Sequence, residues 1–321
     1  VPTGGALRAA GAFLLLVAPH LLWRRWYYGY WVPNTFYVKS AGLPGTWAQG
    51  GYFLLQFALQ TKLAVLPVLV VAVVLATRDA ALRAAAVYGY VLTAVFLLYV
   101  ASVGGDFMGL HRFLMPVVPL NVTLGGVALW RALRARPVGV ALPLLVGLLG
   151  LHAGNAYLVD KRALTFLGAD HGIDTPGYLR HYTRDREAIG RWLGQHVKPD
   201  DYQVVGGAGA QVYYAGIRAL DSFGLSDEYV AHKVPPRDIR PGHQKFAPLD
   251  YVLSRKPTIL TYNVYRFGNA PYRPDAAEAA LWRSRGFHYV SVQVPGLSSP
   301  WYSFLKRTDR TLGPLPMDQG D

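Results

Sequence analysis

Cysteine is absent from all 321 residues. That excludes disulfides, thiolate nucleophiles and cysteine-ligated metals. Acidic residues are scarce where the chain is most apolar. Residues 1–157 contain no glutamate and two aspartates, Asp79 and Asp106, against eleven lysines and arginines. Residues 158–321 carry 21 basic and 17 acidic side chains, an ordinary soluble balance. The formal charge of +13 thus divides into +9 on the apolar half and +4 on the polar half. A basic excess can mark a nucleic-acid binder. Here it lies beside apolar runs of 17–20 residues, so membrane lipid or lipid phosphate is the expected partner and nucleic acid is not. No internal repeat or low-complexity tract is visible, and no signal-peptide cleavage pattern follows the first apolar run. The chain starts at Val1 rather than Met and reads as the C-terminal part of a longer protein, so activity of this chain alone is not expected.

A bilayer core takes about 20 apolar residues per helix. Five segments come close: 6–23, 61–77, 84–103, 113–130 and 138–157. Trp47–Gln60 mixes apolar and amide side chains and reads as an interfacial helix feeding the second span. The fourth carries Pro116, Pro119 and Asn121, which predicts a kink packed against protein. Short arginine-rich loops mark the cytoplasmic side. Arg78 and Arg83 flank one such turn, Arg131, Arg134 and Arg136 crowd another, and Arg8 joins them. Residues 24–60, the loop 104–112 and residues 158–321 then face outward. The expected architecture is an α-helical polytopic membrane domain of about five spans over residues 1–157, followed by an extracytoplasmic soluble α/β domain over residues 158–321.

Arg24, Arg25, Lys39, Lys62 and Arg112 fall on the outer side, where positive charge is disfavoured during insertion. Lys62 reads either as a snorkelling helix end or as part of an outer-face site. Arg24, Arg25 and Arg112 fit a clamp on the phosphate of an outer-leaflet lipid, because guanidinium forks bind phosphate oxygens in pairs. The loop 24–50 is dense in tryptophan and tyrosine. An interfacial aromatic belt accounts for Trp23 and Trp26. Tyr27 and Tyr28, with Asn34, Thr35 and Lys39 among the aromatics, equally suit a sugar, which needs ring faces to stack on and donors for its hydroxyls. In the loop Gly104–Arg112, Asp106 either pairs with Arg112 or supports acid–base work beside His111. No spacing forms a metal motif and no cofactor is implied; metal assistance stays open.

In the polar half, Asp170-His171-Gly172-Ile173-Asp174 reads as a turn with surface charges. An amphipathic helix is predicted over Arg186–His196, with Ile189, Trp192 and Leu193 on one face. Strands are predicted at Tyr202–Val205, Pro257–Tyr262 and Phe287–Val294, with a helix at Asp275–Arg285. Alternating β and α elements predict a layered α/β domain. Gly206–Ala210 superficially matches a dinucleotide loop, but Val212 stands where the third glycine belongs, so tight strand–helix packing is the better account. The long polar loop 232–251 is either solvent-exposed or folds back over the membrane site, where His243 and Lys245 reach acceptor hydroxyls or donor phosphate.

The run from Trp26 to Lys39, the stretch Val103–Met108 with His111 and Arg112, and the stretches Pro241–Lys245 and Pro248–Tyr251 together carry a resemblance. So do Gly207–Ala210, Tyr213, Tyr214, Gly216, Asp221 and Gly224–Asp227. They resemble a bacterial family of GT-C-fold membrane glycosyltransferases, that of the terminal β-(1→2)-arabinofuranosyltransferase of the mycobacterial cell wall and its relatives. The resemblance implies a polyprenyl-phosphate-linked sugar donor, arabinofuranose among the candidates, and a cell-envelope glycan acceptor. It implies transfer on the outer face of the bacterial cytoplasmic membrane and a bundle of which this chain is the C-terminal portion. Such enzymes invert, using a carboxylate base in a first outer loop that this chain does not contain; Asp106 matches the Gly-Gly-Asp element and is given a supporting role. Tyr30 departs from the pattern, standing where relatives often carry an acid. Two other readings are a non-enzymatic polytopic protein with an outward carbohydrate-binding domain and a transporter. The near absence of charge inside the spans counts against the transporter.

Overall fold

The computed structural model describes residues 3–40, 42–134 and 136–311. The end of the expected soluble domain, beyond residue 311, lies outside the described residues. Helix α1 (Thr3–Tyr28) runs past its expected end and carries Arg24, Arg25, Tyr27 and Tyr28 on its last turns. Nothing between Trp23 and Tyr28 breaks a helix; Gly29, at φ 77°, terminates it. The short helix α2 (Asn34–Lys39) follows Pro33. Helices α3 (Thr46–Thr61) and α4 (Val65–Thr77) meet at 74° across a break at Lys62, itself in the left-handed region. Asp79 caps α5 (Ala80–Ser102), accepting from the Leu82 amide at 2.8 Å. One 3₁₀ turn at Arg112–Leu114 then leads to α6 (Val118–Leu133) and α7 (Val138–Thr165).

Among the described residues, α1, α5 and α7 are long and apolar enough to cross a membrane, and α3 with α4 makes a fourth crossing if the bent pair is one span. Two of the five expected spans therefore change. The run 113–130 is the 16-residue α6, about 24 Å at 1.5 Å per residue and shorter than a bilayer core of about 30 Å. Its start is set by Pro119, which fits the first turn of a helix, and by Pro116, which does not fit an interior. The run 61–77 is the 13-residue α4, and α3 is the amide-bearing helix expected ahead of it. Helices α4, α5 and α6 close around Val70, Val73, Leu82, Leu124 and Ala128. Asn121 finds its expected protein partner in Thr93 Oγ1 at 3.0 Å. Arg131 pairs with Asp79 at 2.6 Å, so the two arginine-rich turns share one end of the bundle. The 23-residue α5 carries the chain from there to the loop 103–112 at the other end, where the mixed α/β region docks.

A two-stranded hairpin, β1 (Ala169–Asp170) and β2 (Ile173–Asp174), opens the polar region. Next come α8 (Pro176–His196), β3 (Tyr202–Val205), α9 (Ala210–Ala215) and β4 (Arg218–Asp221). Then follow α10 (Glu228–Lys233), α11 (Leu249–Ser254), β5 (Ile259–Leu260), β6 (Arg266–Gly268), α12 (Ala276–Ser284), β7 (Phe287–Val292) and β8 (Trp301–Arg307). Strand β3 pairs in parallel with β4 and β5; β8 runs antiparallel to β5, β6 and β7. Strands β5 and β6 share successive lengths of one edge of β8, and β7 takes the other. One face buries Ile189, Trp192 and Leu193 of α8 against Ile259, Val292, Tyr302 and Phe304. The other buries Val204, Leu220 and Leu305 beneath Val252 of α11 and Trp282 of α12. The expected α8, β3, α12 and β7 are present, with α8 longer because Thr175 caps it and Pro176 starts it.

Candidate functional site

Three separate segments converge where the sheet region meets the membrane helices. Val32–Ser40 supplies Thr35, Phe36, Lys39 and Ser40. The end of α5 and its loop supply Tyr99, Val103, Gly105 and Asp106, followed by Phe113; the long loop after α10 supplies Pro241 and Gly242. Together they line a cavity of about 370 Å³. Gly105 can take φ 79° against the buried ring of Phe53 only without a side chain, and this turns Asp106 inward. Asp106 is 2% exposed and accepts from Arg112 through Nε at 2.5 Å and Nη2 at 3.2 Å. Arg112 keeps an exposed face, flanked by Phe107 and Phe113 at 5.9 and 5.7 Å. Lys39 lines the cavity, its Cε against Gly242. The cavity lining thus combines one cation, Lys39, one carboxylate, Asp106, the hydroxyls of Thr35, Ser40 and Tyr99, and the rings of Phe36, Tyr99 and Phe113, with Arg112 bound to Asp106 beside it. Tyr99 and Phe36, half exposed, continue its wall onto the outer surface of the apolar helices.

Of the residues singled out from sequence, Thr35, Lys39 and Asp106 line this cavity and Arg112 braces it. Arg24, Arg25, Tyr27 and Tyr28 do not line it. They sit on α1, where Arg24 lies over Tyr28 at 5.3 Å, Arg25 donates to the Gly29 carbonyl at 2.7 Å, and Tyr27 stacks on Trp23. Asn34 turns to the polar region, accepting from or facing His232 Nε2 at 3.0 Å. The ring of His232 stacks on Tyr30 at 3.6 Å, and Tyr30 donates to Glu228 at 2.9 Å. Tyr30 is therefore a docking residue between α10 and the loop after α1.

The long loop folds back over the membrane end. Asp174 of β2 receives Arg240 Nη2 on both carboxylate oxygens, at 2.8 and 2.7 Å. The Asp174 backbone joins the 104–112 loop, donating to Phe107 O at 2.6 Å and accepting from Gly109 N at 2.8 Å. The hairpin 169–174, expected as a surface turn, is thus the latch that brings Pro241 and Gly242 to the cavity. His243 and Lys245 do not line it. His243 is wedged between Phe107 and Phe223, with Nδ1 facing the Pro241 carbonyl at 3.2 Å, and burial pushes its imidazole down. Lys245 is buried and donates to the Ala231 carbonyl at 2.6 Å; burial pushes its ammonium down too. Tyr99, Phe36, Pro241 and Gly242 were not singled out as site residues, although an aromatic at a span end and a Pro-Gly pair are both visible in sequence. No group of three or more metal-ligating side chains occurs among the described residues.

His111 lies beneath the loop, between Phe53 and Phe57, with Nε2 against Gln60 Oε1 at 2.9 Å. Burial pushes its imidazole down to about 4, so it is neutral in the fold. An unfolded histidine protonates near pH 6.5, so this stability is present above that pH and drains as pH falls toward 4. From pH 7 to pH 5 the loss is about 2 kcal/mol. Thermal unfolding at both pH values should show a larger drop for the parent than for His111→Gln. Equal drops mean that His111 is not a buried neutral group.

A family model for a domain of unknown function (DUF8728) matches residues 176–305, the stretch from α8 through most of β8. Neither a curated protein nor a solved structure matches the chain.

Proposed function

We propose that the cavity binds the phosphate and sugar of a polyprenyl-phosphate donor, and that the protein is part of a membrane glycosyltransferase acting on the outer face. The observation that carries this reading is the cavity's composition. Lys39 offers a cation to a phosphate, the half-exposed Arg112 guanidinium is held beside the cavity by Asp106 of its lining, Thr35 and Ser40 offer hydroxyl donors, and the wall runs through Tyr99 and Phe36 onto the apolar helix surface. A lipid tail on that surface and a phosphate inside the cavity is the ligand shape this fits. In transfer, an acceptor hydroxyl oxygen forms a bond to the anomeric carbon as the carbon–oxygen bond to phosphate breaks. The lipid phosphate leaves with the electron pair, and Lys39 and Arg112 stabilise its charge. Asp106 is not the proton acceptor, because both its oxygens are held by Arg112; it positions the guanidinium. The hydroxyl proton passes to a carboxylate base, which the family resemblance places in another outer loop. The acceptor is a cell-envelope glycan presented by the α/β region.

A photoactivatable polyprenyl phosphate tests the first half. The purified chain in lipid nanodiscs should be labelled at Phe36, Tyr99 or Phe113, and Lys39→Ala should reduce labelling about tenfold, the loss of one charge-assisted contact. Equal labelling by the neutral polyprenol, or none at these positions, removes the phosphate site.

A further inference from the structure

At the carboxyl ends of the parallel strands β3 and β5, Arg186 is 7% exposed and faces no carboxylate among the described residues. Its guanidinium lies over the rings of Tyr265 at 4.4 Å, Tyr182 at 4.8 Å and Phe267 at 5.7 Å. Nη1 donates to Gln211 Oε1 at 3.2 Å, the Tyr182 and Tyr265 hydroxyls lie within hydrogen-bonding reach of the guanidinium, and Nε has no partner. Gln211 is itself held, donating to Gln203 at 3.0 Å and Thr261 at 2.9 Å, so the fork is fixed in place. Aromatic faces attract a cation but supply no anionic oxygen for a guanidinium N–H. Buried arginines are ordinarily matched by one. Carboxyl ends of parallel strands are also where α/β layers receive ligands.

The neighbourhood extends toward the cavity. Tyr178, Tyr182 and Arg186 recur at four-residue spacing on one face of α8, with the two tyrosine rings 6.2 Å apart. Tyr178 is 36% exposed and stands four residues beyond Asp174, the partner of Arg240 beside the cavity wall. Gly207, at the end of β3, abuts the Tyr182 hydroxyl. From the same end of the sheet, Phe223 contacts His243, which contacts Phe107 under the cavity.

We infer that Arg186 and the Tyr178–Tyr182 face form a second site, taking a sugar that bears an acidic group, a carboxylate or a phosphate monoester. The pyranose or furanose face lies on the tyrosines, and the acidic oxygens complete the fork of Arg186. Its role as the acceptor end of the transferase rests on the reading above; the binding itself does not.

Saturation-transfer NMR on the full chain in nanodiscs tests it with D-glucuronate, D-glucose 6-phosphate and D-glucose as lipid-free probes. The two acids should bind at millimolar concentration and glucose at least about tenfold more weakly. A response to one acid alone identifies its group as the one recognised. Arg186→Gln should weaken acid binding about tenfold or more. Tyr178→Ala, at an exposed position, should weaken it without lowering the melting temperature, so a folding defect in the first variant leaves the test intact. If neither acid binds better than glucose, or Tyr178→Ala binds them like the parent, Arg186 is only a staple between α8 and β6. If Lys39→Ala abolishes acid binding while Arg186→Gln leaves it unchanged, the acids occupy the cavity and there is no second site. Because no probe carries a lipid, failure here leaves the donor reading standing, and failure of donor labelling leaves this one.

Discussion

Arg112→Ala in the full-length protein should lower sugar transfer from a synthetic polyprenyl-phosphate donor by about 30- to 1000-fold. That range corresponds to losing roughly 2–4 kcal/mol from a charge-assisted contact made largely out of water. The substitution has a second effect. Asp106 is 2% exposed and loses its donors at 2.5 and 3.2 Å, which costs about 1–3 kcal/mol of stability for a buried charged acceptor left unsatisfied. Lys39→Ala separates the two effects. No ion pair holds Lys39 among the described residues, so its loss should lower transfer while the melting temperature stays near the parent value. Arg112→Lys should recover only part of the activity, because an ammonium cannot make both bonds to Asp106 and still face a phosphate. Arg78→Ala, at the far end of the bundle, is the silent control. The measurement is transfer rate in detergent with thermal unfolding on the same preparations. Parent-like transfer by both Arg112→Ala and Lys39→Ala would falsify the phosphate site.

Gly105→Ala should destabilise the protein by about 2–5 kcal/mol. A β-carbon there would sit 2.5 Å from Phe53 Cγ and 2.6 Å from Phe53 Cβ. Phe53 is fully buried, and its Cβ cannot rotate away, so α3 or the loop must move. Overpacking of this kind costs about 1–3 kcal/mol. The residue also holds φ 79°, which costs an alanine a further 1–2 kcal/mol or so. Displacing the loop carries Asp106 with it, so donor binding should fall as well. Gly126→Ala is the comparison: it lies inside α6 with open space around its Cα, and alanine there should be neutral or slightly stabilising. Thermal unfolding of the two variants side by side decides the matter. A Gly105→Ala protein as stable as Gly126→Ala means the loop is not wedged against Phe53.

Charge and hydropathy determined the division of this chain from sequence alone. Two acids against eleven cations over residues 1–157, beside long apolar runs, leave a membrane-embedded helical region followed by a mixed α/β region. Where periodicity was strong, the elements were legible too: Ile189, Trp192 and Leu193 on one face of α8, and β3 between its turn signals. Other elements carried no such signal. Strand β8 is buried along Tyr302–Lys306 on both faces, with Lys306 among the buried residues, so it shows no alternation to read. The runs 61–77 and 113–130 are uniformly apolar, and hydropathy does not record that Lys62 turns left-handed or that α6 begins only at Val118. The site divided in the same way. Lys39, Thr35, Asp106 and Arg112 were candidates as residue types in outer loops. Only the tertiary structure decided which of them meet. Arg24 and Arg25 are carried off by an unbroken helix, while Pro241 and Gly242 arrive from about 130 residues beyond Asp106 because Arg240 is held by Asp174. Arg186 reads in sequence as one more charge on an amphipathic helix. It is the packing of β6 across α8 that covers it with rings and leaves it without a carboxylate among the described residues, and no local pattern encodes a contact between residues some 80 positions apart.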